Sequence, residues 1–345
     1  MTFLRDSWYC AGFSSDLAVG GTRAITVLGE SLMLYRKQDG SPAALANRCP
    51  HRFAPLAMGK VEGDQIVCGY HGLRFDATGQ CTHNPHGDSS IPKAARVRSY
   101  PTLERYGALW VWMGEPESAN PAALPDFSDT DEREGWSRVQ GYIHVRANYQ
   151  LMNDNLLDLS HVPYLHPFLG GGGPPPDNMR LKVSMEQRGD EVIAINEADN
   201  MPMTPLYGMV WEDGAPPSLC SMRANMRWSP PSLMLLDTGA SVVGGPRDTG
   251  PSLPIAHWLT PETEHTTHYF WAQARNRYVG DAQMSAAIAQ GIDAAFRNED
   301  ERMIEACQRN MGTTDLMSLK PLLLQTDGPA MRARRVLEAK LKEAA

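Results

Sequence analysis

The sequence predicts an α+β protein: an N-terminal all-β domain, then an α/β domain built on an antiparallel sheet. Three observations predict this. Short apolar runs separated by Gly, Asp and Ser fill roughly the first 115 residues, at the spacing of meander strands. A proline-rich segment then interrupts the chain. Beyond it, strand-like alternation mixes with helical periodicity, and two helical patterns close the sequence.

In the first domain, residues 22–28, 31–37 and 43–48 read as strands, and 109–113 (LWVWM) is a continuous apolar run ending at Gly114. Residues 115–126 (EPESANPAALPD) carry three prolines and few large apolar side chains. That composition marks a linker, giving a first domain of 1–115, a linker of 116–126 and a second domain of 127–345. In the second domain, 141–148 alternates like a strand. Residues 149–160 have a helical apolar face at Tyr149, Met152, Leu156 and Leu159. Strand-like runs return at 181–186, 191–196, 219–228, 232–237 and 268–274, followed by helices over about 282–310 and within about 329–343. The run GGGGPPP at 170–176 is an irregular loop placed where a lid would sit.

Composition excludes several classes of protein. Of 345 residues, 42% are hydrophobic and 21% charged, which is ordinary for a globular chain. No stretch approaches the ~20 continuous apolar residues of a membrane span. The N-terminal MTFLRDSWYC lacks the apolar core of a signal peptide, so a cytoplasmic location is expected. A net charge of −8 offers no footprint for nucleic acid. No GxGxxG or Walker A loop follows a strand, and three prolines deprive GGGGPPP of the N–H donors that a phosphate cradle needs. In a reducing cytosol the six scattered cysteines point to burial or metal binding rather than to a disulfide framework.

Two constellations carry chemistry. In NRCPHRFAPL and VCGYHGLRF the residues Cys49, His51, Cys68 and His71 fall as two Cys/His pairs, each in a short loop after a strand. Two thiolates and two imidazoles suit a structural zinc or a two-iron cluster. Zinc fingers usually group like ligands, whereas one Cys and one His per loop suits a cluster with both cysteines on one iron and both histidines on the other. The second constellation lies in NDNLLDLSHVPYLH. On a helix Asn155, Asp158 and His161 share one face. Pro163 and Pro167 disturb the helix where His166 must swing back toward His161. Two imidazoles need an anionic third ligand to form a 2-His-1-carboxylate triad with positions open to O₂ on Fe(II). Asp300 supplies it. It falls on the apolar face Ile288, Ile292, Phe296, Ile304 and Cys307, where a carboxylate is costly unless paired or metal-bound. Glu299 and Glu301 lie off that face and are expected to reach water.

CPHR…CGYHG resembles the Rieske signature of bacterial aromatic-ring oxygenases. N-x-x-D-x-x-H-x4-H and NED-E-x-M resemble the mononuclear-iron segments of the same family. SWYCAGF, CPHRFAPL, DNLLDLSH, LTPET (259–263) and YFWAQARN (269–276) extend the likeness over nearly the whole chain. They place it beside the monooxygenase branch of vanillate and dicamba O-demethylases and toluenesulfonate methyl-monooxygenases. The resemblance implies a Rieske [2Fe–2S] domain, a helix-grip-like catalytic domain and a mononuclear non-haem Fe(II). It also implies a reductase or ferredoxin donor drawing on NAD(P)H, and a head-to-tail homotrimer. In such a trimer Asp158 links His71 of one subunit to His161 of the next. The implied reaction is O-demethylation of a methoxy-substituted aromatic acid with O₂, releasing formaldehyde. Aryl-methyl or ring hydroxylation is the rival within the class, and a non-oxygenating Rieske electron carrier is the rival outside it.

Substrate-pocket candidates are Leu151, Leu236, His257, Trp271 and Gly291. By resemblance to the dicamba enzyme's pocket, His257 is retained, while Leu236 and Gly291 stand where polar and indole contacts lie there. That departure argues against dicamba as the substrate. Arg223 and Arg227 are candidates to pair with a substrate carboxylate.

Overall fold

The structure is a computed structural model and describes residues 2–170, 179–212 and 214–344. Residues 171–178, which hold most of the expected lid loop, lie outside the described residues. The chain divides into two compact units: Arg5–Leu124 with Thr260–Thr263, and Met1–Leu4 with Pro125–Leu259 and Glu264–Ala345.

The smaller unit is all β, in three antiparallel sheets. β1 (Trp8–Phe13), β10 (Thr102–Arg105) and β11 (Ala108–Trp112) form one, with β11 in the centre. β2 (Thr22–Val27), β3 (Glu30–Arg36), β4 (Pro42–Ala46) and β9 (Ser99–Tyr100) form the second. β5 (Lys60–Glu62), β6 (Gln65–Val67), β7 (Arg74–Phe75) and β8 (Cys81–His83) form the third. The last four strands are two or three residues long, too short to show any alternation. The proline-rich segment is built onto this unit rather than hanging free: it makes two single turns, Pro116–Ser118 and Pro121–Ala123. The Trp8 indole N–H donates to the Asn120 carbonyl at 2.8 Å.

The larger unit is one seven-stranded antiparallel sheet covered by helices. β12 (Ser137–Val145), β13 (Arg180–Arg188), β14 (Glu191–Pro202), β15 (Leu219–Ser229), β16 (Leu233–Val242), β17 (Ile255–Pro261) and β18 (Thr267–Arg275) run in the order 12-18-17-16-15-14-13. β17 carries no polar alternation because it is buried throughout, and prolines on both sides hide it from a pattern reading. Register places Met226 opposite Leu236, Leu236 opposite Ile255 and Met234 opposite His257, so these side chains share one sheet face. On the same face Trp271 lies over Gly141, where an added Cβ would sit 2.3 Å from the indole. A glycine is therefore required there.

The helices are α1 (Tyr149–Leu157), α2 (Val162–Leu165), α3 (Pro167–Gly170), α4 (Pro205–Met209), α5 (Ala282–Ala294), α6 (Glu301–Met311) and α7 (Gly328–Glu343). Asn148 caps α1 by accepting from the Gln150 N–H at 3.0 Å. α1, α6 and α7 share one core with the sheet, through Leu156, Ile304, Ala333, Leu337, Trp228 and Trp271. α7 is tied to α1 by Arg334, whose Nε and Nη2 grip Asp154 at 2.9 and 2.6 Å while Nη1 reaches Gln150 at 2.9 Å. Burial pushes the Asp154 carboxyl up, and Arg334 opposes that. Replacing Arg334 by alanine leaves a carboxylate without its partner. The expected loss is about 3 kcal/mol of stability, measurable as a lower midpoint in chemical denaturation.

Candidate metal centres and active site

The first constellation is two loops of one design. The Cys49 N–H donates to the Ala54 carbonyl at 2.9 Å, and the Phe53 N–H returns to the Cys49 carbonyl at 2.9 Å. The Cys68 N–H donates to the Leu73 carbonyl at 2.8 Å, and the Gly72 N–H returns to the Cys68 carbonyl at 3.0 Å. Each loop closes through a left-handed residue at the fourth position after its cysteine, Phe53 at φ 60° and Gly72 at φ 73°. Cys49 and Cys68 are both 2% exposed and belong to a core with Leu56, Ile66 and Phe75. Burial, and after it the neighbouring Cys68 thiol, pushes the Cys49 thiol up to about 11. The His51 and His71 rings stand edge to face, 4.5 Å between centroids. Sulfurs inside and imidazoles toward solvent is a donor set that fits a cluster with one sulfur-bound and one nitrogen-bound iron.

The second constellation is assembled across a broken helix. α1 ends at Leu157, so the expected helix through Ser160 is corrected, and so is the shared helical face of Asn155, Asp158 and His161. Asp158 leaves helical geometry at φ −112°, ψ 89°, and its carboxylate caps the next turn by accepting from the Ser160 N–H at 3.0 Å. Its other oxygen accepts from Thr326 Oγ1 at 3.1 Å. Asp158 meets His161 through its main chain: the carbonyl lies 2.5 Å from His161 Nδ1. Pro163 sits in the first turn of α2, and His166 follows directly after that helix. This brings the two imidazoles to 5.3 Å between centroids, at 72°.

Asp300 completes the group. It is 4% exposed, and ligand atoms of His161, His166 and Asp300 all lie within 4.8 Å of one another. His166 Nε2 is 3.1 Å from Asp300 Oδ2, and His161 Nε2 is 3.5 Å from Oδ1. Asn155 Nδ2 donates to Asp300 Oδ1 at 3.0 Å. A π turn, Ala295–Asp300, separates α5 from α6. Such a widened turn is often found at functional sites. It corrects two expectations. Cys307 is exposed rather than on the buried face. Glu299 does not simply face water: its Oε2 lies 2.5 Å from His166 Nδ1.

The outer contacts fit a metal. Each histidine has Nδ1 on an oxygen, the Asp158 carbonyl or the Glu299 carboxylate, which leaves both Nε2 atoms facing Asp300. Burial alone would lower the proton affinity of His166, but the Asp300 and Glu299 carboxylates outweigh it and raise the pKa. Two imidazoles and one carboxylate on one side suit Fe(II) with open positions. Iron(II) affinity is expected to fall about 10–100-fold in Glu299→Gln, read by competition with a colorimetric chelator, with the cluster spectrum unchanged.

A cavity of about 440 Å³ opens against this group. Leu236, His257 and Gly291 line it, together with Met222, Met226, Ile255 and Phe296. Gly291 presents open space, with nothing within 4 Å of an added Cβ. Leu151 and Trp271, expected on this wall, do not line it; both belong to the core that the sheet shares with α1, α6 and α7. Arg223 is held by Asp237 at 2.7 Å and Ser252 at 2.7 Å. Arg227 donates to the Asp126 carbonyl. Neither arginine lines the cavity. Gln273, within the YFWAQARN segment, does.

Known proteins resemble the chain along its full length. The family described as Vanillate O-demethylase oxygenase C-terminal domain matches residues 145–343, and Rieske [2Fe-2S] domain matches residues 7–101. The oxygenase component of chloroacetanilide N-alkylformylase from Rhizorhabdus wittichii is 37% identical over 342 residues, covering 99% of this chain and 96% of that one. The oxygenase component of dicamba O-demethylase from Stenotrophomonas maltophilia is 33% identical, covering 98% of each. The crystal structure of dicamba monooxygenase bound to 3,6-dichlorosalicylic acid superposes with a TM-score of 0.91 at 34% identity, covering all of both chains.

Proposed function

Because the chain belongs to the Rieske non-haem iron oxygenases, in the vanillate and dicamba O-demethylase branch, we propose that it O-demethylates a methoxy-substituted aromatic acid and releases formaldehyde. The observation that carries this reading is the convergence of His161, His166 and Asp300 on one point at the wall of an apolar cavity. Iron(II) held by these residues would supply the activation of O₂. The chain itself orients the two imidazoles through Asp158 and Glu299 and holds Asp300 through Asn155. The aliphatic cavity excludes water from the reacting methyl group. The overall change is ArOCH₃ + O₂ + 2e⁻ + 2H⁺ → ArOH + HCHO + H₂O. One oxygen atom enters the methyl carbon, and the resulting hemiacetal collapses to phenol and formaldehyde.

In this reading Cys49, His51, Cys68 and His71 hold the [2Fe–2S] cluster, within a domain of residues 1–115. A linker of 116–126 leads to a catalytic domain of 127–345. A reductase or ferredoxin delivers the electrons one at a time. The working form is a cytoplasmic homotrimer, in which Asp158 relays between His71 of a neighbouring copy and His161. The direct contact of the Asp158 carbonyl with His161 supports that route. So does the exposure of Phe53, Met58 and Tyr70 near the cluster ligands. Among the described residues no helix is long and apolar enough to cross a membrane.

A turnover screen with a surrogate reductase and the three ring isomers of methoxybenzoate tests the reaction. Formaldehyde equimolar with the phenol is the expected result. A hydroxylated product without formaldehyde moves the activity to methyl or ring hydroxylation. Electron transfer without any product leaves only an electron carrier.

A further inference from the structure

Asp158 is tied to the metal site by its backbone and to the last helix by its side chain. Its main-chain carbonyl lies 2.5 Å from His161 Nδ1. Its carboxylate is half-buried and makes two contacts. Oδ1 accepts from the Ser160 N–H at 3.0 Å, within its own loop. Oδ2 accepts from the Thr326 hydroxyl at 3.1 Å, its one contact from outside that loop among the described residues. Thr326 lies in the single turn Gln325–Asp327 that leads into α7.

The two bonds do different work. An aspartate carboxylate turns broadly about its last torsion. One bond to Oδ1 tethers the group but leaves its plane loosely set. A second bond, to Oδ2 and from a different element, fixes the plane.

α7 reaches α1 and its end at two levels, and treats the two carboxylates there differently. Arg334 pairs with Asp154 at 2.6 Å and takes up its charge. Thr326 holds Asp158 with a neutral hydroxyl. Among the described residues no Lys or Arg pairs with Asp158, whose donors are a main-chain N–H and that hydroxyl. A carboxylate offers about four acceptor positions, so about two stay open together with the full charge. The chain just before the turn, Leu322, Leu323 and Leu324, is exposed. Such an apolar run in contact with water suits a surface that another chain covers.

We propose that Thr326 is a positioning residue for electron transfer between copies of the chain: its hydroxyl fixes the plane of the Asp158 carboxylate, so that the open acceptor positions meet the imidazole N–H of His71 of the neighbouring copy. The proposal rests on the relay reading above and adds the residue that aims the relay. Thr326 itself exchanges neither proton nor electron. A neutral donor suits the task, because a guanidinium or ammonium in its place would compete with the imidazole for the carboxylate charge.

The test uses the full-length protein with its cluster and iron loaded. Thr326→Val removes the hydroxyl at nearly constant shape, and Thr326→Ser keeps it. Asp158→Asn, alone and combined with Thr326→Val, completes a double-mutant cycle. Two quantities are read: the rate of cluster reoxidation in a single turnover with a methoxyarene, and the midpoint potential of the cluster at equilibrium without O₂ or substrate. Thr326→Val is expected to slow reoxidation about tenfold. It should also raise the midpoint potential, because a carboxylate set loosely beside a cluster ligand opposes the added electron less. Thr326→Ser should restore both. In the Asp158→Asn background Thr326→Val should change neither further. Iron(II) affinity should stay at the parent value, since His161 is held by the main-chain carbonyl. Equal effects of Thr326→Val with and without the Asp158 carboxylate, no restoration by serine, or a parent-like Thr326→Val beside an altered Asp158→Asn would overturn the proposal. An Asp158→Asn variant with parent rate and potential would sink the relay reading itself, and the proposal with it. The potential is read without turnover, so it judges the proposal even where no methoxyarene is demethylated.

Discussion

Replacing Asp300 by alanine should leave the protein coloured and inactive. The carboxylate is the single anionic ligand between His161 and His166, and Asn155 is oriented by it. Without it, two neutral imidazoles face a divalent cation in an apolar pocket, and Fe(II) loses its charge partner. Iron should fall from about three to about two per chain, the remainder being the cluster. Turnover should fall by more than the roughly 10–100-fold that the loss of an outer hydrogen-bond partner costs. The fold should survive, because removing a buried carboxylate also removes its desolvation cost. Visible absorption of the cluster, metal analysis and product formation together read all three expectations. A variant that keeps its third iron would show that Asp300 is not a ligand.

Cys68→Ser should give the complementary result: a colourless protein that retains about one iron. Cys68 sits in the core of the all-β unit, beside Ile66 and Phe75, in a region whose strands are two or three residues long. Such strands hold little stability of their own, so much of the local folding energy comes from the cluster. Losing even about 2 kcal/mol shifts the melting midpoint of a domain this size by about 10 °C. Thermal unfolding should therefore show an early transition absent from the parent protein. A variant with unchanged colour and melting would remove Cys68 from the ligand set.

The candidate metal ligands were legible because metals demand particular residue types at short spacings. Cys49-x-His51, Cys68-x-x-His71 and His161-x4-His166 stand out in any reading of the chain. Asp300 was legible for a different reason, as a carboxylate on an apolar helical face. The face itself was misdrawn: the π turn at 295–300 swings Glu299 onto His166 and leaves Cys307 outside. A reading at a constant 3.6 residues per turn cannot anticipate that step. Asp158 was found by its spacing from His161, but the structure joins the two through a carbonyl, which side-chain reasoning does not consider. Strands β5–β8 and β17 escaped, the former because they are too short to alternate and the latter because it is buried on both faces. Gln273 did carry a signal. It continues the inward alternation of Tyr269 and Trp271 as a buried polar side chain.

The central claim is that the two metal centres act as one oxygenase. Single-turnover stopped flow tests it most directly: the anaerobically reduced protein is mixed with O₂, with and without a methoxyarene, and cluster reoxidation is followed by its colour while formaldehyde is quantified. The account predicts rapid reoxidation coupled to formaldehyde only when substrate and the third iron are both present. Asp300→Ala should reoxidise slowly and yield no product. Reoxidation at one rate in all cases, without product, would make the chain an electron carrier and contradict the account.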